Sequence, residues 1–275
     1  MFAKYRYKLC TGKPLDSKNP KNYDEKLFWL NLYWRHPLKT QCADKHSMRE
    51  YVQQKGLGHI LPILIRTYEN SNEIDFDILP QKFVLKCTHG CGFNIICENK
   101  ALLDKNKAKN QLDIWMGIDF GQVYGELHYS GIKPRIICEE YLDNLYGKSL
   151  CDYKVFCFNG KVHCTLVCQD RQANHICKFD YYDREFETKL PYLKSSLLAD
   201  RNVSKPDAYD KIINAAEMLS QPFPFVRMDF YSIKGQPILG EMTFTSSACV
   251  SPDLTEIAQL QLGELIILPP SLHSC

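Results

Sequence analysis

The sequence of 275 residues lacks a long apolar run, a strong excess of one charge, and any internal repeat or low-complexity segment. Its longest apolar stretch, residues 262–268, is interrupted by Gly263 and Glu264 and is too short to span a bilayer. The basic, aromatic residues 1–11 contain no apolar core of a signal peptide. The net charge of +2 gives no electrostatic reason to bind nucleic acid or a membrane surface. We therefore expect a cytoplasmic protein without nucleic-acid partners.

None of the thirteen cysteines forms a Cys-x-x-Cys pair. The nearest approaches to a metal-binding pattern are Cys87-x-His89-x-Cys91 and the group His163, Cys164, Cys168, His175 and Cys177. Structural zinc sites normally have tighter, paired spacing, so zinc is the weaker interpretation. Without an export signal, the cysteines are expected to be reduced and mostly buried thiols.

The pattern of apolar residues predicts a mixture of helices and short strands. Forty-five percent of the residues are hydrophobic and 24% are charged, which is typical of a globular protein with one large domain or two lobes. Helical periodicity predicts helices at residues 23–33, 44–55, 105–115 and 204–221. Alternation predicts strands at residues 83–86, 94–97, 135–142, 153–158, 161–168, 225–231 and 237–244. Strands concentrated in the middle of the chain favour an α+β fold over a doubly wound sheet.

The last predicted hairpin carries a pair of acidic residues. Arg227 and Asp229 share one face of its first strand, and Glu241 and Thr243 share one face of the second. A loop of three or four residues around Gly235 would place Asp229 opposite or beside Glu241. Two carboxylates so close repel each other unless a cation lies between them, and Mg²⁺ prefers such oxygen ligands. By itself the pattern fits equally well a surface hairpin with solvated acids.

A second candidate site lies where a predicted strand ends at Lys86. The loop that follows contains Gly90 and Gly92, and a lysine beside such a loop can bind phosphate through its ammonium and the loop N–H groups. The loop is not a Walker A motif, because it connects two strands and does not enter a helix. Considered alone, an ordinary hairpin turn remains the simpler interpretation.

Taken in order, these segments resemble a known family. The matching segments are DKHSMREYV, LPQKFVLKCTHGCGFNII, PRIICEEYL, DYKVFCFNGK and FVRMDFYSIKGQPILGEMTF, which together span roughly residues 40–250. The set resembles the ATP-grasp superfamily, and within it the TupA-like family linked to teichuronopeptide and other surface polysaccharides. The resemblance implies an ATP-grasp fold, in which two α+β lobes grip ATP between antiparallel sheets, with a reduced N-terminal region. It also implies a helical, partly substrate-binding region at 1–80, a first ATP-grasp lobe at 81–142 and a second at 143–275.

The resemblance also implies which residues bind ATP. The implied set is Lys45, Lys86, His89, Gly90, Gly92, Glu139, Glu140, Tyr141, Leu142, Asp152 and Lys154. The lysines would contact phosphates, the glycine loop would close over them, residues 139–142 would line the adenine pocket, and Asp152 would bind the ribose. His89 would touch the substrate or be an ordinary solvated loop histidine.

The metal and catalytic residues implied by the resemblance come from the last hairpin and the lysines. Asp229, Glu241 and Thr243 would form the Mg²⁺ site, with Thr243 standing where the superfamily usually has an asparagine for a second metal. That departure puts a second metal ion in doubt. Arg227 would face the γ-phosphate and act with Lys86 and Lys154 in catalysis.

The implied activity is that of a carboxylate–amine ligase using ATP and Mg²⁺. The family context points to a uronic acid of a capsular or cell-surface polysaccharide, free or carried by a glycan or sugar nucleotide. An amino acid or amino alcohol would be the amine, and a loose association with polysaccharide-synthesising machinery is implied too. Three alternatives remain open: a glycosyltransferase that uses a sugar nucleotide, a kinase built on the same nucleotide site, and a nucleotide-binding regulatory protein without turnover.

Overall fold

The structure is a computed structural model that describes residues 2–142, 151–169, 178–194, 198–199 and 203–270. In this part of the chain the helices are α1 (Phe2–Thr11), α2 (Tyr23–Tyr33), α3 (Pro37–Ala43), α4 (Met48–Gln54), α5 (Lys105–Met116), α6 (Phe120–Tyr124), α7 (Tyr209–Ser220) and α8 (Glu256–Leu265). The strands are β1 (Leu64–Tyr68), β2 (Phe83–Cys87), β3 (Asn94–Cys97), β4 (Ile136–Glu140), β5 (Asp152–Phe158), β6 (Lys161–Gln169), β7 (Lys178–Asp183), β8 (Lys189–Leu190), β9 (Phe225–Ile233) and β10 (Gln236–Thr243).

Contacts within the chain divide it into two compact units. The central unit comprises residues 37–143, and the flanking unit combines residues 1–36 with 144–275. This division is a structural one. The functional division into 1–80, 81–142 and 143–275 stays a prediction.

The central unit is built on a four-stranded antiparallel sheet in the order β1-β4-β2-β3. Along β2, Phe83, Leu85 and Cys87 are buried, while Val84 and Lys86 are only half-buried. Because side chains on a strand alternate between faces, Lys86 projects from the less covered face of the sheet. The predicted strands at 83–86 and 94–97 are confirmed.

Two helices of the central unit show how local hydrogen bonds set their starts. Helix α5 begins as predicted, because the Asp104 carboxylate accepts a hydrogen bond of 2.9 Å from the Lys107 N–H. Helix α4 begins at Met48, so the prediction that it begins at Asp44 is wrong. The Asp44 carboxylate instead accepts hydrogen bonds from the His46 N–H and the Ser47 hydroxyl, which stabilises a turn before the helix.

The flanking unit is built on a six-stranded antiparallel sheet in the order β10-β9-β5-β6-β7-β8. Both predicted hairpins are present, and each turns through two residues with positive φ. These φ values are 48° and 80° at Asn159 and Gly160, and 51° and 70° at Lys234 and Gly235. Such turns match the right-handed twist of the strands that they join.

Helix α7 covers one face of this sheet. Ile212, Ala216 and Leu219 are completely buried, and the helix packs against β5, β6 and β9. The helix begins at Tyr209, so its predicted start at Ser204 is wrong. Pro206 disfavours helical geometry at the residue before it, and a turn with a hydrogen bond from the Tyr209 N–H to the Pro206 carbonyl precedes the helix.

Helix α2 belongs to the flanking unit and packs against α8. The predicted helix at 23–33 is confirmed, and a capping box between Asn22 and Glu25 fixes its start. Gly263 of α8 lets the two segments approach closely, since a Cβ there would lie 2.5 Å from the Lys21 carbonyl oxygen. The Asp24 carboxylate accepts hydrogen bonds from the Ser251 N–H and the Gln259 amide. The start of α2 is therefore attached to the segment that follows β10.

Most of the cysteines are buried, as predicted. Of the eleven that the structure describes, the buried ones are Cys42, Cys87, Cys97, Cys138, Cys157, Cys164, Cys168 and Cys249, and all eleven are free thiols. Burial raises the pKa of Cys42 and of Cys87 to about 12, which makes these thiols poor nucleophiles. Among the described residues, no three or more His, Cys, Asp or Glu side chains form a group able to hold a metal ion. His175 and Cys177 of the second predicted cluster lie outside the described residues.

None of the helices within the described ranges is long and apolar enough to cross a membrane.

Candidate active site

The two acidic residues of the last hairpin lie directly opposite each other. Asp229 of β9 pairs with Glu241 of β10, as predicted. The prediction assumed a loop of three or four residues, but the turn has only two. With a regular strand register, this turn would pair Asp229 with Gly240. A bulge between Leu239 and Glu241 shifts the register by one residue and restores the pair.

Two basic side chains surround the Asp229 carboxylate. Arg227 makes a two-pronged contact with it, with Nε 2.7 Å from Oδ1 and Nη2 2.8 Å from Oδ2. Lys154 of β5, the strand neighbour of Asp229, donates a hydrogen bond to Oδ2. Asp152 lies at the edge of this cluster, with Oδ2 4.0 Å from the Lys154 Nζ. The structure thus brings Asp152, Lys154, Arg227 and Asp229 together, as the predicted site requires.

Glu241 and Thr243 complete the cluster on β10. The Thr243 hydroxyl donates a hydrogen bond of 3.3 Å to Glu241 Oε1 and accepts one of 3.3 Å from Arg227. Arg227 Nη2 lies 3.6 Å from Glu241 Oε1, and its Nη1 donates to the Ser246 hydroxyl at 3.0 Å. Arg227 therefore links both acids to the segment that follows β10.

The electrostatics of the cluster keep Asp229 ionised. Burial alone would raise the pKa of Asp229, but the charges of Arg227 and Lys154 outweigh it and lower the pKa to about 2. Burial would lower the pKa of Arg227, but Asp229 and Glu241 raise it above its usual value. A carboxylate that is ionised at neutral pH is available as a metal ligand.

The donor set fits Mg²⁺. Asp229 and Glu241 supply hard carboxylate oxygens from two neighbouring strands, and Mg²⁺ in nucleotide sites takes one or two carboxylates plus phosphate oxygens and water. Asp229 is 6% exposed, whereas the Glu241 side chain is 22% exposed and accessible from solvent. Thr243 offers a hydroxyl next to Glu241, which is a weaker ligand than a carboxylate. The residues present thus suit a single magnesium ion best.

In the central unit, Lys86 contacts a buried acid. Its Nζ lies 2.7 Å from Glu139 Oε2, and Arg49 Nη1 lies 3.1 Å from the other oxygen of the same carboxylate. Arg49 also donates to the Pro62 carbonyl at 2.7 Å. Sequence reasoning assigned no role to Arg49, although it lies within the matching segment DKHSMREYV. That segment was the signal that could have identified it.

The predicted glycine loop is a tight connection between β2 and β3. Gly92 has a φ of +76°, which favours glycine, and a Cβ on Gly90 would lie 2.5 Å from the Phe120 ring. Lys45 donates a hydrogen bond of 2.6 Å from Nζ to the Gly90 carbonyl. The structure thus brings Lys45 to the loop, and its contact with ATP phosphates stays a prediction.

His89 differs from the expected solvated loop histidine. It is 2% exposed, and its Nε2 lies 3.0 Å from the Trp115 carbonyl oxygen at the end of α5. Burial lowers its pKa, so the ring is neutral at neutral pH. The contact attaches the loop to α5.

The predicted adenine-binding segment is the end of β4. The Glu140 carboxylate accepts a hydrogen bond of 2.8 Å from the Ile63 N–H, so it contacts the segment just before β1. The Tyr141 hydroxyl donates to Glu98 at 3.0 Å, and Leu142 follows it at the end of the described segment. Glu139 and Glu140 are the last two residues of β4, and Tyr141 and Leu142 follow directly after the strand.

The predicted residues thus form two groups. The central unit contains Lys45, Lys86, His89, Gly90, Gly92, Glu139, Glu140, Tyr141 and Leu142, and the flanking unit contains Asp152, Lys154, Arg227, Asp229, Glu241 and Thr243. Within each unit, the basic residues lie against acidic residues or against the loop predicted to bind phosphate.

The chain is similar to several solved structures at low sequence identity. The D-alanine–D-alanine ligase of Bacillus anthracis complexed with ATP is 14% identical, with a TM-score of 0.48, over 82% of this chain and 65% of that one. D-cycloserine synthetase is 13% identical, with a TM-score of 0.46, over 83% of this chain and 70% of that one. The chain spans about two thirds of the length of the first of these proteins. No functionally curated protein matches the chain significantly.

A family model gives the stronger comparison. The model described as TupA-like ATPgrasp matches residues 25–267, which is most of the chain and contains every predicted site residue. The two antiparallel sheets with their helices agree with the α+β architecture expected from the resemblance. ATP-grasp proteins are ATP-dependent ligases that work with Mg²⁺, and the carboxylate pair suits that ion. The chain belongs to the TupA-like ATP-grasp family.

Proposed function

We propose that the protein is a carboxylate–amine ligase that forms an amide through an acyl phosphate, at the expense of ATP. The observation that supports this most is the cluster of Arg227, Lys154 and Asp229 opposite Glu241. It combines an acid pair suited to Mg²⁺ with two positively charged side chains. Phosphoryl transfer needs such groups to stabilise the negative charge of the transferred phosphoryl group.

The reaction has two steps. An oxygen of the substrate carboxylate attacks the γ-phosphorus of ATP, the bond to the bridging oxygen breaks, and ADP leaves with an acyl phosphate remaining. The amine nitrogen then attacks the acyl carbon, inorganic phosphate departs, and the nitrogen loses a proton to give the amide. Mg²⁺ bound by Asp229 and Glu241 would neutralise phosphate charge. Arg227 and Lys154 contribute further positive charge where negative charge develops.

We assign the remaining roles to the central unit. Lys86 and Lys45 contact phosphates, with the loop at Gly90 and Gly92 over them, and residues 139–142 line the adenine. Lys86 now lies against Glu139, and Arg49 contacts the same acid. When Lys86 turns to a phosphate, Arg49 stays to neutralise Glu139.

The proposed substrates follow from the family. The acid is a uronic acid of a capsular or cell-surface polysaccharide, and the amine is an amino acid or amino alcohol. The reaction takes place in the cytoplasm, where ATP is supplied.

Nucleotide binding tests the proposal. Isothermal titration with Mg-ATP and with a UDP-sugar is expected to show binding of Mg-ATP alone. Lys86→Met is expected to weaken Mg-ATP binding at least tenfold, because it removes a charge-assisted contact of about 1.5–3 kcal/mol. Lys161→Met, at the exposed first position of β6, is the matched control and should bind like the wild type. Binding of the UDP-sugar in place of Mg-ATP would favour a glycosyltransferase.

A further inference from the structure

Positive charge is concentrated in residues 1–21, the segment that precedes the Asn22 cap of α2, although the whole chain is nearly neutral. This segment contains six lysine or arginine residues and a single acid, Asp16, so its formal charge is +5. Because the whole chain carries +2, residues 22–275 together carry −3. The net charge thus conceals a local positive field. The six basic residues are Lys4, Arg6, Lys8, Lys13, Lys18 and Lys21.

Most of this charge lies at the surface of the flanking unit. Five of the six basic side chains, all but that of Arg6, are exposed. The one acid forms hydrogen bonds within its own turn, because the Asp16 carboxylate accepts from the N–H groups of Lys18 and Asn19, both at 3.0 Å. The segment therefore presents a positively charged surface.

Helix α1 combines this charge with an exposed apolar face. Tyr5 and Leu9, which lie one turn apart on the same side of the helix, are 61% and 66% exposed. Tyr7 points to the opposite side, where it is buried and its ring lies against Phe28 of α2, with 5.3 Å between the ring centroids. One face of α1 is thus attached to the flanking unit, and the other presents apolar side chains to solvent.

Basic side chains flank the face formed by Tyr5 and Leu9. A helix turns by about 100° per residue, so Lys8 and Arg6 lie about 80° to either side of the centre of this face, and Lys4 lies next to Lys8. Long basic side chains in such positions keep their charges at a polar boundary while their neighbours enter an apolar phase. Helices that lie in the plane of a membrane surface have this arrangement.

The combination of charge and apolar exposure indicates the kind of partner. Charge alone would suit any polyanion, including nucleic acid or an acidic polysaccharide, but an exposed tyrosine and leucine gain free energy only from an apolar phase. Two apolar side chains are too few for a specific protein interface, which buries about 800 Å² on each partner. An anionic lipid surface offers negative head groups and an apolar interior, and it requires no minimum interface.

We infer that residues 1–21 dock the protein on an anionic lipid surface, with Tyr5 and Leu9 inserted below the head groups and the basic side chains among them. The inference goes beyond the proposed ligase activity and does not depend on it. Binding through two apolar side chains and a few charges is weak and reversible. The protein therefore exchanges between the lipid surface and solution.

Co-sedimentation of the full chain with vesicles, in the absence of nucleotide, tests the inference. Vesicles of phosphatidylcholine that contain phosphatidylglycerol are expected to bind the protein, and vesicles of phosphatidylcholine alone are not. Raising the salt from about 0.1 M to about 1 M should weaken binding, because the screening length falls from about 10 Å to about 3 Å. The double variant Lys4→Gln/Lys8→Gln should bind at least about tenfold more weakly, since each basic residue near an anionic surface contributes about fivefold.

Leu9→Gln distinguishes a lipid surface from a soluble polyanion. It leaves the charge unchanged and is expected to weaken vesicle binding about tenfold, because an apolar side chain no longer leaves water. Ile257→Gln on α8 is its matched control, since Ile257 is 62% exposed but follows the exposed acid Glu256. The control for the charge variant is Lys107→Gln/Lys161→Gln, which removes two exposed lysines elsewhere. Both controls should bind like the wild type.

The altered side chains are exposed, so all four variants should keep the melting temperature of the wild type. The inference is overturned if vesicles with phosphatidylglycerol do not bind the protein or if phosphatidylcholine alone binds it equally well. It is also overturned if Lys4→Gln/Lys8→Gln binds like its control. Unchanged binding of Leu9→Gln would show a general polyanion site and would overturn the inference too. Mg-ATP binding is measured separately, so this inference and the proposed function can fail independently.

Discussion

At the scale of single residues, Asp229 has two tasks that compete. Its carboxylate is the partner of Arg227 and Lys154 in the structure, and it is also the proposed ligand of Mg²⁺. The first task makes Asp229 important for stability as well as for activity. A loss of activity in a variant of this residue must therefore be separated from a loss of folding.

The free energy of unfolding, measured as the pH is lowered, reports on the first role, the ion pair of Asp229 with Arg227 and Lys154. The pKa of Asp229 falls from 3.8 to about 2 on folding, so the ionised carboxylate stabilises the native state by about 2 kcal/mol at neutral pH. This contribution is complete above pH 4 and is lost as the pH falls towards 2. In urea unfolding at pH 7, Asp229→Asn is expected to lower the free energy of unfolding by about that amount, and the difference from wild type should shrink below pH 4.

The control for this prediction is Asp113→Asn, at an exposed position on α5. Its unfolding free energy should stay within about 0.5 kcal/mol of the wild type at every pH. An Asp229→Asn variant as stable as this control at pH 7 would contradict the ion-pair account.

The residue-scale features were predicted unevenly from the sequence. Strand alternation correctly placed Arg227 and Asp229 on one face, because that rule needs only local spacing. The contact of Lys154 with Asp229 depends on strand pairing across 75 residues and was not predicted. The resemblance implied only that both residues belong to the site. The contact of Arg49 with Glu139 was not predicted, because tertiary packing alone determines it.

At the scale of elements, the hairpin β9–β10 combines a tight turn with a bulge. A turn around Gly235 was predicted, although with three or four residues where the structure has two, and the bulge at Gly240 was not predicted. A glycine within a strand is compatible with a bulge but does not require one. The starts of α4 and α7 were misplaced for a similar reason, since Asp44 and Pro206 form turns that periodicity does not reveal.

The loop between β2 and β3 leads to a prediction at this scale. Gly92 and Gly56 have nearly the same φ, +76° and +75°, and a Cβ at either would meet nothing within 4 Å. Replacing either by alanine is expected to cost about 1 kcal/mol of stability through backbone strain alone. Only Gly92→Ala should raise the KM for Mg-ATP, because only Gly92 belongs to the loop proposed to cover the phosphates.

The comparison needs denaturation curves and ATP-dependent kinetics for both variants. Equal losses of stability with an effect on ATP for Gly92→Ala alone would support the phosphate-loop role. An unchanged KM for Mg-ATP in Gly92→Ala would contradict it.

At the scale of the whole molecule, each structural unit contains some of the residues proposed to bind ATP or Mg²⁺. The α+β class followed from the strand and helix patterns, and the antiparallel sheets followed from the family resemblance. That residues 1–36 join the C-terminal half was not predictable, because it depends on contacts such as Asp24 with Ser251 and the close approach at Gly263. No periodicity in the sequence encodes such a contact between distant segments.

The central claim is that ATP drives the joining of an acid to an amine. The most direct measurement is the release of ADP and inorganic phosphate from Mg-ATP, with D-glucuronate and a panel of amino acids and amino alcohols. The account predicts equal amounts of ADP and phosphate, formed together with an amide, only when an acid and an amine are both present. ADP without free phosphate, with the phosphate retained on the product, would contradict it in favour of a kinase. Turnover of a UDP-sugar without consumption of ATP would contradict it in favour of a glycosyltransferase.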